Sequence, residues 1–153
     1  MKTILTIEES AKLIELGVDP KMASMVSWKQ TKDWERKSVL PNKEHLTLKP
    51  FRPMVMGFER FEVKDVFVLS DILSILPKEI KDSNLDIIST QVDIKNYKKV
   101  SGWMVTYIDN HNDLAFGDKS IFQSSELIDA LSQMLIWCLE NGYLKTEKMN
   151  LLN

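Results

Sequence analysis

Residues 124–144, SSELIDALSQMLIWCLENGYL, carry the strongest helix signal in the chain and decide the fold. At about 100° per residue, the apolar side chains form one continuous stripe, and the polar side chains of the first turns lie opposite it. Ser124 or Ser125 is expected to cap the start of this helix. Gly142 is expected to end it in a left-handed conformation. The pattern therefore predicts a long C-terminal helix that packs against the rest of the chain.

Two apolar residues of this helix fall outside its stripe. Ile136 lies among the acids and amides, and Trp137 lies at the edge of the stripe. Either the tail of the same chain, residues 143–153, covers them, or a second subunit or partner does. The first explanation is favoured, because single exposed apolar residues are common on protein surfaces.

Cys138 lies at the centre of the stripe, with Tyr143 expected to return towards it after the helix. A thiol in that position is desolvated, which disfavours the reactive thiolate. We therefore interpret Cys138 as a small buried hydrophobe rather than as a nucleophile.

The N-terminal part of the chain predicts two short helices and a strand. Thr6 and Glu9 have the spacing of a capping box at the start of the first helix, and Gly17 can end it. Asp19 followed by proline predicts the N-terminus of a second short helix that runs to about Met25. A strand is expected around residues 25–29, and the region that follows, to about residue 60, shows no clear element.

The second half of the chain predicts a further short helix capped by Ser70 and then a meander of strands. LDIISTQVDI is rich in β-branched residues, and the side chains of GWMVTYID alternate between two faces. The turn DNHND is expected to lead to a short third strand, LAFGD at residues 114–118. Together with the terminal helix, these signals predict an α+β fold: an antiparallel meander of at least three strands packed against a long C-terminal helix, with two short N-terminal helices.

Length and composition are those of an ordinary globular protein. The 153 residues suit a single domain over residues 1–153, and 44% are hydrophobic and 27% charged. We expect no membrane partner, because no apolar run approaches the roughly 20 residues that span a bilayer. The single cysteine predicts a reducing, cytoplasmic location. The net charge of −2 divides into +3 over residues 1–60 and −5 over the remainder, which does not favour nucleic acid.

No motif predicts a metal, a cofactor or a catalytic residue. The two histidines, His45 and His111, are far apart in the sequence. The stretch DNHNDLAFGDKS has Leu114 and Ser120 where a calcium loop requires glycine and glutamate, so we interpret it as an Asp/Asn turn. The five glycines are scattered and form no phosphate-binding loop.

Two segments combine aromatic residues with cations, a composition that can stack on bases and hold phosphates. In the first, SWKQTKDWERK, the aromatic residues are Trp28 and Trp34 and the cations are Lys29, Lys32, Arg36 and Lys37. In the second, KNYKK at an expected hairpin tip, Tyr97 lies among Lys95, Lys98 and Lys99. Acidic residues interrupt the first segment, and lysines at a hairpin tip commonly serve solubility.

Three further stretches, LIELGVDPKMASMVSW, VFVLSDILSILPKEI and ELIDALSQMLIWCLENGYLKT, resemble a group of small bacterial proteins often encoded near mobile elements. The resemblance covers about half of the chain and excludes residues 29–60. It implies a bacterial, intracellular, single-domain protein with an accessory role. This group has no assigned activity, so the resemblance implies no site residues.

These observations leave three hypotheses. The first is a non-catalytic interaction module, monomeric or homodimeric, with Ile136, Trp137, Trp28 and Trp34 as candidate interface residues. The second is an accessory factor that contacts nucleic acid through the two aromatic and cationic segments. The third is an enzyme whose site is assembled from residues distant in sequence.

Overall fold

A computed structural model of the chain describes residues 1–31, 44–50, 60–95 and 98–144. It has the predicted α+β fold, in which three helices accompany two antiparallel sheets. The helices are α1 (Ile7–Glu15), α2 (Leu69–Ile75) and α3 (Leu127–Glu140). The strands are β1 (Met25–Thr31), β2 (His45–Leu48), β3 (Arg60–Val66), β4 (Glu79–Ile80), β5 (Ser83–Ile94), β6 (Lys98–Ile108) and β7 (Phe122–Ser124). The sheet orders are β2-β1-β3 and β4-β5-β6-β7.

The first helix begins and ends as its sequence predicts. The Thr6 hydroxyl accepts a hydrogen bond from the Glu9 amide at 3.1 Å, and the Glu9 carboxylate accepts one from the Thr6 amide at 2.9 Å. This reciprocal pair is the predicted capping box. Gly17 follows the helix with a φ of 113°, a conformation that glycine adopts without steric cost.

The second predicted helix is much shorter than expected. Asp19 caps it by accepting a hydrogen bond from the Lys21 amide at 2.9 Å, but only one 3₁₀ turn, Pro20–Met22, forms. Met25 already belongs to β1, where it pairs with Leu48 of β2. The prediction of a helix to Met25 was therefore wrong, because Ser24 already accepts a backbone hydrogen bond from Lys49 and Met25 is the first residue of β1. The strand predicted at residues 25–29 is confirmed and extends to Thr31.

The cap of α2 also differs from its prediction. Ser70 is exposed and lies inside the helix, after Leu69. The carboxylate of Asp71 accepts a hydrogen bond from the Val68 amide at 2.9 Å, as well as hydrogen bonds from the amide (2.8 Å) and the hydroxyl of Ser24. Asp71 is buried, so one carboxylate both caps α2 and fastens it to the residue before β1.

The meander of β5, β6 and β7 is confirmed, but its third strand lies later than predicted. Within residues 114–118, only Leu114 forms a bridge, with Ile108. The Asp109 carboxylate accepts hydrogen bonds from the amides of His111 and Asp113. Residues 109–113 therefore form a turn, as the Asp/Asn pattern indicates. A 3₁₀ turn, Asp118–Ser120, then leads into β7.

Helix α3 lies at the centre of the core. It packs on β6 and β7 and against α2, while α1 packs against β3. Its start was predicted one or two residues too early, because Ser124 belongs to β7 and Glu126 is the residue before the first turn. Its end is as predicted, with Gly142 at a φ of 74°. Its buried side chains are Ile128, Ala130, Leu131, Ser132, Met134, Leu135 and Cys138.

None of the helices within the described ranges has both the length and the apolar composition needed to cross a membrane.

Candidate functional site

Trp137 packs against other aromatic residues of its own chain. Its ring centroid lies 5.2 Å from that of Phe116 and 5.3 Å from that of Tyr143, with the Tyr143 ring stacked at 27°. Tyr143 is held there because its amide donates to the Cys138 carbonyl oxygen at 2.9 Å, which is the predicted return of the chain. These contacts leave Trp137 half-buried rather than open.

Ile136 is half-buried and lines a groove of about 350 Å³ between α1 and α3. Glu9 on α1 and Asp129 on α3 both bind the Lys2 ammonium, at 2.9 and 2.8 Å. Burial opposes the charge of Glu9, but hydrogen bonds from Thr6 and Lys2 outweigh it and lower the pKa of Glu9. Burial likewise opposes the charge of Lys2, yet its bonds to the two carboxylates raise the pKa of Lys2. The ion pairs of Lys2 thus connect the N-terminal residues to α3 at this groove.

The thiol of Cys138 is buried in the core, as its place on the helix predicts. Its neighbour is the Tyr107 hydroxyl, 3.8 Å from Sγ, which also donates to the Pro77 carbonyl oxygen at 2.6 Å. Burial raises the pKa of Cys138 to about 11. Burial also raises the pKa of Tyr107, and Cys138 adds to that effect. The thiol is therefore protonated and shielded at neutral pH.

Trp28 forms an aromatic cluster on one face of the three-stranded sheet. Its ring stacks on His45 with centroids 4.4 Å apart and meets Phe61 edge-on at 5.7 Å. Lys29 follows Trp28 in β1, so its side chain projects from the opposite face, where its ammonium lies 3.4 Å from the Glu62 carboxylate. Trp28 and Lys29 therefore do not form one stacking and phosphate-binding surface. The other members of that segment, Lys32, Trp34, Arg36 and Lys37, lie outside the described residues.

The tip of the β5–β6 hairpin carries the second cationic segment. Lys95, Lys98 and Lys99 are exposed, and Lys99 lies opposite Asp93 in the strand register. Tyr97 lies outside the described residues. The structure thus places three lysines at the end of a long hairpin, far along the strands from α3.

A surface that sequence reasoning missed lies on β2, at one edge of the three-stranded sheet. Leu46 and Leu48 project from the same face of this strand and are 43% and 69% exposed. A groove of about 310 Å³ adjoins Leu46, which lines it together with residues that include Ile4 and Ile7. We call Leu46, Leu48 and this groove the β2 surface. Alternation of leucine with polar residues in HLTL, just before Lys-Pro, was the available signal.

The backbone of β2 also offers hydrogen-bonding groups at this edge. The Lys49 amide donates to the Ser24 carbonyl oxygen at 3.0 Å, which fixes the alternation of bonds between β2 and β1. In an antiparallel pair every second residue turns its N–H and C=O away from the neighbouring strand. Leu46 and Leu48 are those residues. Among the described residues, no strand pairs with β2 on its outer side.

Potential metal ligands do not converge within the described part of the chain, where no group of three or more His, Cys, Asp or Glu side chains could hold an ion. The carboxylate of Asp109, which the sequence places in a calcium-like pattern, binds two backbone amides of its own turn instead.

No family model, curated protein or solved structure matches this chain.

Proposed function

We propose that this chain is a non-catalytic protein-interaction module that binds an extended strand of a partner at the β2 surface. The observation that carries the proposal is the exposure of two leucines on one face of an edge strand whose outward backbone groups have no described partner. Edge strands usually carry charges or proline that prevent further pairing. Residues 45–48 contain no proline, no acidic residue, no lysine and no arginine.

Strand addition explains both parts of this surface. The outward N–H and C=O groups of Leu46 and Leu48 supply main-chain hydrogen bonds to an added strand, which give affinity. The two leucine side chains and the adjoining groove supply pockets for every second side chain of that strand, which give specificity. Such a site needs no titratable group, in keeping with the buried thiol of Cys138.

This proposal moves the main interface away from Ile136 and Trp137. The aromatic neighbours of Trp137 already fill much of its surface, and Ile136 lies inside the groove between α1 and α3. Trp28 contributes indirectly, because its stack on His45 supports β2 from the opposite face of the sheet. The cytoplasmic location expected from the single cysteine belongs to the same proposal.

Selection from a library of random eight-residue peptides against the immobilised protein tests this function. Selected peptides are expected to bind the wild type and to lose about tenfold or more affinity for Leu46→Glu and Leu48→Glu, because a carboxylate then enters an apolar contact. Val63→Glu is the matched control, since Val63 is 44% exposed on the other edge strand of the same sheet. Peptides that bind all variants equally, or a selection that yields none, would contradict the proposal.

Amide hydrogen exchange adds a readout at the strand itself. A selected peptide is expected to slow exchange at the amides of Leu46 and Leu48, because they point outward, and to leave the amide of Lys49 unchanged, because it already bonds to Ser24. Protection confined to other strands would place the peptide elsewhere and refute strand addition at β2.

A second candidate function, nucleic-acid binding, is favoured by the three exposed lysines at the hairpin tip. Fluorescence anisotropy with generic single- and double-stranded DNA at low salt tests it, because the electrostatic contribution is largest there. Lys95→Gln, Lys98→Gln and Lys99→Gln together should abolish any binding, and absence of wild-type binding at low salt removes this candidate.

A further inference from the structure

We infer that the β2 surface takes a second copy of this chain, whose β2 adds antiparallel about a two-fold axis at Thr47. This inference rests on the proposed function and names its partner. The result would be one continuous six-stranded sheet with the order β3-β1-β2 in each half, joined at β2.

The strand register selects Thr47 as the centre. A two-fold axis perpendicular to the sheet keeps each side chain on its own face, so a residue can lie opposite only a residue of the same face. With the axis at Thr47, Leu46 lies opposite the partner's Leu48, and Leu48 lies opposite the partner's Leu46. Four leucines then cover one another on one face.

The neighbouring registers are poorer. With the axis at Leu46, Leu48 lies opposite the partner's Glu44, which sets an exposed apolar side chain against a charge. With the axis at Leu48, Leu46 lies opposite the partner's Pro50, which has no N–H to donate. Only the register centred on Thr47 gives both Leu46 and Leu48 a leucine of the partner as the opposite residue.

The backbone groups agree with the same register. Because the Lys49 amide bonds to Ser24, the outward groups of β2 belong to Leu46 and Leu48. In the register centred on Thr47, these two residues are the ones that face each other across the axis. Both exchange N–H and C=O bonds with their opposite residue, so the pairing forms about four new main-chain hydrogen bonds.

Charges near the axis do not oppose the pairing. Lys49 lies opposite the partner's His45, but its ammonium is bound within its own chain, to Asp65 at 2.5 Å and to the Pro20 carbonyl oxygen at 3.0 Å. Residues 45–48 themselves carry no acidic residue, lysine or arginine. The edge therefore lacks the repulsion that usually keeps identical edges apart.

The small contact implies a weak dimer. A strand of four residues and its leucines cover much less than the roughly 1,600 Å² of a standard stable interface. The association is therefore expected to depend on concentration, with dimer detectable at about 1 mM and largely dissociated at about 10 μM.

Sedimentation equilibrium of the full chain tests this inference. The mean mass is expected to rise from 17.7 kDa towards twice that value with concentration. Leu48→Glu is expected to weaken association about tenfold or more, since it places a carboxylate against the partner's Leu46. Val63→Glu should associate like the wild type, because it lies on the opposite edge strand.

A cross-link checks the register. The two copies of Thr47 form a non-hydrogen-bonded pair, whose Cα atoms approach to about 4.5 Å, close enough for a disulfide. Thr47→Cys is therefore expected to give a disulfide-linked dimer on mild oxidation, whereas Val63→Cys should not. Cys138 is buried and does not interfere.

The outcomes separate this inference from the proposed function. A mass that stays at 17.7 kDa up to about 1 mM, while selected peptides bind at β2, overturns the second copy and leaves strand addition intact. A dimer that is insensitive to Leu48→Glu, or a Thr47→Cys variant that does not cross-link, also overturns it. Failure of both the dimer and the peptides overturns the proposed function as well.

Discussion

Replacing Asp71 tests whether one carboxylate holds the two halves of the chain together. It is 7% exposed and accepts hydrogen bonds from the Val68 amide, the Ser24 amide and the Ser24 hydroxyl. Asp71→Ala leaves these three donors without their acceptor. A buried donor that loses its acceptor costs about 1–3 kcal/mol, and water can reach part of this site, so the expected loss in free energy of unfolding is about 3–5 kcal/mol.

The neighbouring residue provides the control. Ser70 is exposed, and in the structure it does not cap α2, so Ser70→Ala should change the free energy of unfolding by less than about 0.5 kcal/mol. If the serine capped the helix, as sequence reasoning suggests, the same substitution would cost about 1 kcal/mol. The pair of variants thus separates the two descriptions of one helix terminus.

Urea unfolding followed by circular dichroism measures both variants. With a slope of about 2 kcal/mol per molar urea, Asp71→Ala should lower the midpoint by about 2 M, and Ser70→Ala should leave it nearly unchanged. Asp71→Asn keeps the shape and one acceptor oxygen, so it should lie between Asp71→Ala and the wild type. An Asp71→Ala variant within about 1 kcal/mol of the wild type would refute the role of the carboxylate as a lock.

Three further predictions concern packing, pH and reactivity. Gly102→Ala should cost about 1–3 kcal/mol in urea unfolding, since its Cβ would lie 2.7 Å from the Ser124 carbonyl oxygen; an unchanged midpoint would contradict this close approach. The pKa of Glu9 is lowered in the fold, so its ionised form stabilises the chain above its unfolded pKa of about 4.5 and loses that effect as pH falls through the lower folded value. The free energy of unfolding of Glu9→Gln, from urea unfolding at several pH values, should therefore fall less steeply below pH 4.5 than that of the wild type. An equal decrease in the two proteins would refute this prediction. Cys138, with its raised pKa and full burial, should react with a thiol reagent at pH 8 only after urea unfolds the chain, and rapid labelling of the folded chain would show an open thiol.

Local signals in the sequence predicted the ends of helices correctly where residues within a single turn determine the backbone conformation. Thr6 with Glu9, and Gly142 after α3, set their helix termini through bonds within a single turn, and both are as predicted. The place of Cys138 on its helix likewise predicted its burial, because the periodicity of an amphipathic helix reports which side faces the core.

Predictions failed where a distant residue decides the outcome. Ser70 and Asp71 are equally suited to capping by residue type, and Asp71 takes that role in a position where it also reaches Ser24, 47 residues away in the sequence. The second helix ended early because Met25 pairs with β2 and β3, which a local pattern does not show. The predicted surface of Trp28 with its neighbouring cations also failed, because Trp28 and Lys29 are consecutive residues of a strand and their side chains lie on opposite faces of the sheet.

The hydrogen bonds of Asp71 also position the β2 surface. Ser24, which Asp71 holds through two hydrogen bonds, accepts the bond from the Lys49 amide directly after Leu48. The end of β2 is thus fixed to α2 and through it to α3, which is the rigid support that an edge strand needs to receive a partner. Asp71→Asn should therefore weaken peptide binding at β2 and speed amide exchange of Lys49, whose N–H bonds to Ser24, even under conditions where the chain stays folded. Unchanged exchange at Lys49 in that variant would show that the Asp71 carboxylate stabilises the fold without positioning the β2 surface.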